Sequence, residues 1–474
     1  MPDPPPTALA RLAVRMTALA ERWLPDAFVF ALVGTALVLG AALALGTPPA
    51  ALVKSWGDGV WSLVPFTLQM AMIVISGTVV ATAPPVQRLI DRLAAVPETP
   101  RGATVLCAVA SMTSSWFNWG FGLLFSAVLA RALARRVAGV DYRTLAATTL
   151  LGLGTVWAQG LSGSAALQMA TPGLLQPAIR TIAAGKDAAG AERIVGGLVG
   201  LEHTIFLWQS FAAVAIEIAV VAALIFAITP VGERARTAAD LGVDLHDAAP
   251  PPPSGPRTPG EWLEHQGWLS AIVVILGGAW IAQALVRAEH MAAAITLNLV
   301  NLALLTLGFA LHRTPARLAR AFAQATPAIW GFLLQFPLYG GIAALITDSK
   351  LSERMADLFT RFATPLTFPP LVAAYSALLG VFVPSGGSKW VIEAPYVLAA
   401  AHRLQVHLGW TVAVYDLGEA LANLVQPFWM LPVLGILGLK ARDVMGVTWT
   451  VFAVMTPVVL ILVTVFGATL PYPL

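Results

Sequence analysis

Four polar patches interrupt apolar stretches of this chain. They are SSWFNWGFG at 114–122, GLSGSAALQMATPG at 160–173, VPSGGSKW at 383–390 and GEALANLVQPFW at 418–429. Small residues let backbone approach a ligand closely. N–H groups at a restarted helix carry partial positive charge and suit a carboxylate. Gly120, Gly122, Gly163, Gly386 and Gly387 supply that bare backbone. Ser115, Ser162, Ser164, Ser385 and Ser388 add hydroxyls, and Asn118, Asn423 and Gln426 add amides. Trp119 and Trp390, beside the tips in the first and third patches, can cover a short alkyl chain. The chemistry implied is recognition of a small anion with one carboxylate and an apolar tail. No arginine lies in the patches to clamp a second carboxylate.

Asp416 and Glu419 lie inside an apolar span, where an ionisable residue suggests a proton or cation role. A structural hydrogen bond across the helix break is the plainer reading of both. Lys389 can attract an anion, or pair with Glu393 at i, i+4. Glu217 sits in an apolar helix and needs a buried partner, His203 reads as interfacial, and Cys107 as packing. GLSGSA alone also fits a close helix–helix contact. Nothing points to an enzyme: there is no phosphate-binding G-x-x-x-x-G-K-[ST] loop and no metalloprotease His/Glu spacing.

These patches need a membrane to position them. The chain has 474 residues, of which 58% are apolar and only 11% charged. Soluble domains carry about 25% charged residues. A net charge of +3, scattered over loops, argues against a nucleic-acid surface. A single cysteine excludes an internal disulfide. Hydropathy predicts spans at 24–46, 60–82, 143–173 (broken), 203–229, 267–287, 291–312, 327–347, 410–438 (broken) and 444–469. The first and third patches are each flanked by arms of about 15 residues, roughly 23 Å of helix and short of a full crossing. Each is therefore expected to form a re-entrant hairpin, at about 102–135 and about 366–404.

The two halves repeat. FTLQMAMIVISG at 66–77 aligns with FLLQFPLYGGIA at 332–343, with Gln69 against Gln335. An amphipathic stretch follows in each half, then a hairpin, then a broken span. Five crossings separate the two first spans, so the second half is expected upside down, with the hairpin tips meeting near the midplane. The expected organisation is a cytoplasmic N-terminal segment 1–23, a first repeat 24–229, a Pro-rich cytoplasmic linker 230–266, a connecting helix 267–290 and an inverted repeat 291–474. With the N-terminus inside, the inner loops hold roughly 18 basic residues against roughly 9 outside, as the positive-inside rule requires. The fold class is an all-α polytopic membrane protein with an inverted repeat, two re-entrant hairpins and two broken helices.

At these residues the chain resembles the bacterial short-chain fatty acid transporter family. The matching strings are RWLPDAFVFA (22–31), WGDGVWSL (56–63), FNWGFGL (117–123), GLSGS (160–164), TPG (171–173), VPSGGSKWVIEAP (383–395) and QPFW (426–429). Two positions depart from the family pattern: Ser388, where a third Gly is usual, and Glu393, where Gln is usual. The resemblance implies uptake of carboxylates such as acetoacetate or butyrate at a bacterial inner membrane, coupled to H+ or Na+, without a cofactor. A more distant similarity to the ion transporter superfamily implies a homodimer with a fixed scaffold and a moving transport domain. The alternatives are a carrier of dicarboxylates or amino-acid derivatives with the same fold, and a passive anion channel.

Overall fold

The computed structural model describes residues 27–245, 258–288, 294–383, 385–426 and 429–474. The N-terminal segment 1–23 and the proline run at 250–256 lie outside the described residues. Among the described residues the fold is helical, and the β-type pairing is one isolated bridge between Lys186 and Glu192.

The first half opens with α1 (Ala27–Ala44), α2 (Pro49–Ser62) and α3 (Val64–Ala81). Proline at N1 or N2 starts both α2 and α3, where its missing N–H costs no helical hydrogen bond. The amphipathic α4 (Pro84–Leu93) follows, then the hairpin arms α5 (Pro100–Phe117) and α6 (Trp119–Arg136). The broken segment is α7 (Tyr142–Thr148), a run of turns with a 3-10 stretch at Val156–Gln159, and α8 (Ser164–Ala170). After α9 (Pro177–Ala184) comes the long apolar α10 (Trp208–Ile228).

The described part of the linker is not loose. Arg236 N–H donates to the buried Asp141 carboxylate at 2.8 Å, and Tyr142 N–H donates to Arg236 O at 2.8 Å. The short α11 (Pro259–Glu264), closed by a Thr258/Glu261 capping box, then leads into α12 (Gly267–Arg287).

The second half repeats the order of elements. It runs through α13 (Leu297–His312), α14 (Pro315–Ala325), α15 (Trp330–Asp348) and the amphipathic α16 (Leu351–Phe362). The second hairpin has arms α17 (Phe368–Phe382) and α18 (Gly386–Leu404). The second broken segment is α19 (Leu408–Ala422) and α20 (Met430–Leu437), and α21 (Ala441–Gly467) closes the fold.

By length and composition, the stretches Pro49–Ala81, Trp208–Ile228, Pro259–Arg287 and Ala441–Gly467 can each cross a bilayer. Shorter apolar helices occur at Ala31–Ala44, Leu297–His312, Leu333–Asp348 and Phe368–Val381.

Packing across the halves positions the site. α15 lies along α2 and α1. At their crossing a Cβ on Gly59 would stand 2.5 Å from Ala344 Cβ and 2.7 Å from Gly340 O, so only glycine lets these backbones approach. α3 packs against α6 and α15 against α18. Each half thus provides one helix against which a hairpin arm rests. The rings of Phe66 on α3 and Phe336 on α15 stack at 5.8 Å and join these two supports.

Candidate functional site

One residue separates the arms of the first hairpin. Asn118 ends α5 and begins α6 with φ −159° and ψ 123°. Its side-chain Oδ1 accepts from Phe121 N at 2.8 Å, satisfying a donor that the start of α6 leaves free. Its Nδ2 donates to Ile73 O on α3 at 3.4 Å. At the second tip Ser385 precedes α18 with φ −153° and ψ 100°, and its Oγ accepts from Ser388 Oγ at 2.5 Å.

Hydrogen bonds tie the four patches to one another. Trp119 N donates to Ser162 Oγ at 3.0 Å, and Leu161 N to Trp116 O at 2.8 Å, joining the first tip to the first break. Gln168 Nε2 donates to Gly387 O at 2.9 Å, joining α8 to the second tip. Asn423 Nδ2 donates to Leu153 O at 3.2 Å, joining the two breaks. Tyr415 OH donates to Gly386 O, joining α19 to the second tip.

Where these contacts converge there is a cavity of about 30 Å³. That is room for one water. Of the residues expected at the site, Trp119, Ser164, Ser385, Gly386, Gly387 and Glu419 line it. Met70, Leu153, Trp157, Phe336 and Trp429 also line it and were not singled out from sequence. Trp157 and Trp429 pack edge-on against Trp119, at 6.1 and 5.1 Å between ring centroids. The indole N–H groups of Trp119 and Trp157 are buried without a hydrogen-bond partner among the described residues. A buried donor left without an acceptor is uncommon enough to require an explanation.

The other expected residues are packed behind the wall. Ser115 sits between Gly122 and Gly152, whose added Cβ atoms would meet its Oγ at 2.2 and 2.3 Å. Gly120 abuts Val74 O, and Gly163 abuts Ala158 O. Ser162 and Ser388 are held by the bonds already described, and Gln426 Nε2 donates to Asn423 Oδ1 at 3.2 Å. Trp390 is wholly buried against Tyr415, with ring centroids 4.8 Å apart. Asp416 faces the Ala166 backbone N–H in the first turn of α8, and its Oδ2 has no hydrogen-bond partner among the described residues. Glu217 accepts from Gln159 Nε2 at 3.0 Å, both buried, beside the first break.

Sequence reading left the role of Lys389 open. Its Nζ lies 2.7 Å from Glu419 Oε2, 3.1 Å from Glu393 Oε1 and 2.8 Å from Ser376 O. It also stands 4.4 Å from the centroid of the Tyr415 ring. Glu393 takes a second bond, from Ser376 Oγ at 2.7 Å. The i, i+4 spacing signalled the partnership with Glu393. Nothing in the sequence signalled the one with Glu419, which arises from packing of α18 on α19.

Comparison with known proteins bears on the family and the fold. A family model described as short chain fatty acid transporter matches residues 8–466. A protein of Escherichia coli (strain K12) named as a short-chain fatty acid transporter is 36% identical over 453 residues, covering 92% of this chain and 95% of that protein. One of Haemophilus influenzae with the same name is 32% identical over 459 residues, covering 96% and 99%. Among solved structures, the Alcanivorax borkumensis YdaH transporter superposes with a TM-score of 0.55 at 14% identity, covering 94% of this chain and 98% of that one. Neisseria gonorrhoeae MtrF, from a class of antimetabolite efflux pumps, superposes with a TM-score of 0.59 at 12% identity, covering 97% and 98%. At such identities the two structures speak for the fold alone.

Proposed function

We infer from the site that this chain, which belongs to the short-chain fatty acid transporter family and is a membrane transporter rather than an enzyme, imports short-chain monocarboxylates such as butyrate or acetoacetate. The observation that carries this reading is the cavity between the two hairpin tips and the two helix breaks. Its walls hold the hydroxyls of Ser164 and Ser385 and the glycine start of α18, and two of its lining tryptophans, Trp119 and Trp157, carry buried indole N–H groups without a partner among the described residues. A carboxylate can accept from the hydroxyls and the helix-start N–H groups, and the three tryptophans form an apolar wall for a short chain. No arginine lines the cavity among the described residues, which favours one carboxylate over two.

In this reading the hairpins are re-entrant, the second repeat is inverted, and the N-terminus is cytoplasmic in a bacterial inner membrane. Transport is secondary and ion-coupled, with H+ or Na+ handled at Asp416 and Glu419. A cavity of about 30 Å³ is too small for butyrate, so this state is not a loaded one. Loading then requires the hairpins to move against α3 and α15, as a transport domain moves against a scaffold in a homodimeric elevator. Uptake of labelled acids into proteoliposomes, with proton and sodium gradients imposed separately, tests this. Accumulation of butyrate above the outside concentration is expected. Uptake that never exceeds equilibrium under either gradient contradicts active transport, and uptake blocked by succinate but not by butyrate contradicts the substrate class.

A further inference from the structure

Glu419 is the one carboxylate in the cavity wall among the described residues, and the substrate read above is itself a carboxylate. Two like charges at low dielectric repel strongly. The groups packed around Glu419 define the problem. Lys389 and Glu393 on α18 and Tyr415 and Asp416 on α19 are its neighbours, and Ser376 on α17, with the Tyr375–Tyr396 hydroxyl pair, stands beyond them around Glu393. With every acid ionised, this cluster holds three carboxylates and one ammonium, so an incoming anion meets a net negative site. The two partners of Lys389 are not equivalent. Glu393 is wholly buried and keeps the Ser376 hydroxyl if Lys389 moves. Glu419 has Lys389 as its ion partner at 2.7 Å and lines the cavity, which Glu393 does not among the described residues.

We propose that Lys389 is the counter-charge for the substrate carboxylate, held by Glu419 in the empty site and released when Glu419 takes up a proton as the anion enters. The proposal rests on the transport reading given above and adds the coupling ion, its carrier and a substrate-pairing residue. The charges balance. The anion brings one negative charge and Glu419 gains one H+. Lys389 stays an ammonium and turns from Glu419 toward the substrate, with Glu393 still beside it. One proton then travels with each monocarboxylate, and the loaded site carries the same charge as the empty one.

The test uses the full chain, purified and reconstituted, with fluxes corrected for protein-free liposomes. Wild type is expected to show butyrate counterflow and to accumulate butyrate under an inward proton gradient at clamped zero potential. Binding in detergent should weaken about tenfold per unit rise in pH where one proton is linked. E419Q should bind butyrate with no such pH dependence, and its proton-driven accumulation ratio should fall to one. Because K389Q alone leaves two buried carboxylates without their cation, K389Q/E419Q is the informative partner. It should fold and lose butyrate binding that E419Q retains, at least about tenfold.

The proposal is overturned by E419Q that still accumulates butyrate on a proton gradient, or that no longer binds it. It is also overturned by K389Q/E419Q binding as E419Q does, or by wild-type accumulation driven by sodium alone. Absence of wild-type counterflow would remove the transport reading and this inference with it. That result is distinct from counterflow without proton coupling, which removes only the inference.

Discussion

Asn118 and Ser385 hold nearly the same extended backbone, φ −159° and ψ 123° against φ −153° and ψ 100°, at the tips of two helical hairpins from different halves of the chain. Asn118 both ends one helix and begins the next, whereas Ser385 begins α18 two residues after Val383 closes α17. Their side chains also do different work. Asn118 is committed to Phe121 N and Ile73 O, whereas Ser385 lies in the cavity wall. Both alanine variants lose a buried hydrogen bond, but only S385A removes a group from the cavity wall. N118A loses a buried helix cap, about 1 kcal/mol, and should melt earlier in detergent. S385A, which leaves the buried Ser388 hydroxyl without its acceptor at a cost of about 1–3 kcal/mol, should melt earlier as well. If the Ser385 hydroxyl bonds the carboxylate, about 1.5–3 kcal/mol is lost and butyrate uptake falls about tenfold or more. S385A with wild-type uptake would take Ser385 out of the site.

How much of this was readable beforehand follows from the range of the interactions. Both tips were visible because a polar cluster between two apolar arms is local, and Asn118 and Ser385 sit inside it. The four patches were recognised as one site only through the internal repeat. Trp157 was missed because a tryptophan in an apolar run fits lipid or protein equally well. The Lys389–Glu419 pair spans two helices, and no spacing rule connects residues that far apart. The span expected at 60–82 belongs to a longer helical stretch, Pro49–Ala81. Its first turns carry the exposed pair Lys54 and Asp58, 2.5 Å apart at i, i+4, which a hydropathy window rejects and a helix accepts.

The first tip is seated on a glycine of α3. A Cβ at Gly77 would stand 2.1 Å from Asn118 Oδ1 and 2.9 Å from Phe121 N. G77A should therefore displace the tip, lower stability by about 1–3 kcal/mol and depress uptake, as overpacking of a tight contact does. In G77A/N118A the clashing amide is gone. The double mutant should lose less stability than the two single losses added, by at least about 0.5 kcal/mol. Strict additivity in thermal melts would show that the two residues do not press on each other.

His407, in the turn before α19, caps that helix in an unusual way. Its Nδ1 accepts from Trp410 N at 2.9 Å, which requires that nitrogen to be unprotonated. Burial, with His203 nearby as a second cause, pushes the imidazole down from 6.5 to about 4. A folded-state value below the ordinary one means that the cap is fully present above about pH 6.5 and is lost as pH falls through about 4. The melting temperature should drop over that interval. Asparagine caps helices without titrating, so H407N should flatten this part of the profile while staying within about 1 kcal/mol of wild type at neutral pH. An H407N profile with the same acid slope would place the titrating group elsewhere.

Chain-length selection should reside in the tryptophan wall. Trp429 meets Trp119 edge-on at 5.1 Å, and both line a cavity of about 30 Å³. An acyl tail entering this cavity must push against these rings. Shortening Trp429 to leucine opens space on the tail side without touching Ser385 or Glu419. Each added methylene buried there is worth about 0.8 kcal/mol. Two more carbons, as in hexanoate, should then raise kcat/KM relative to butyrate by about fifteenfold. W429L is expected to show that shift in competition uptake, through better use of hexanoate rather than loss of butyrate alone. If both acids fall in parallel, the ring supports the fold and does not measure the substrate.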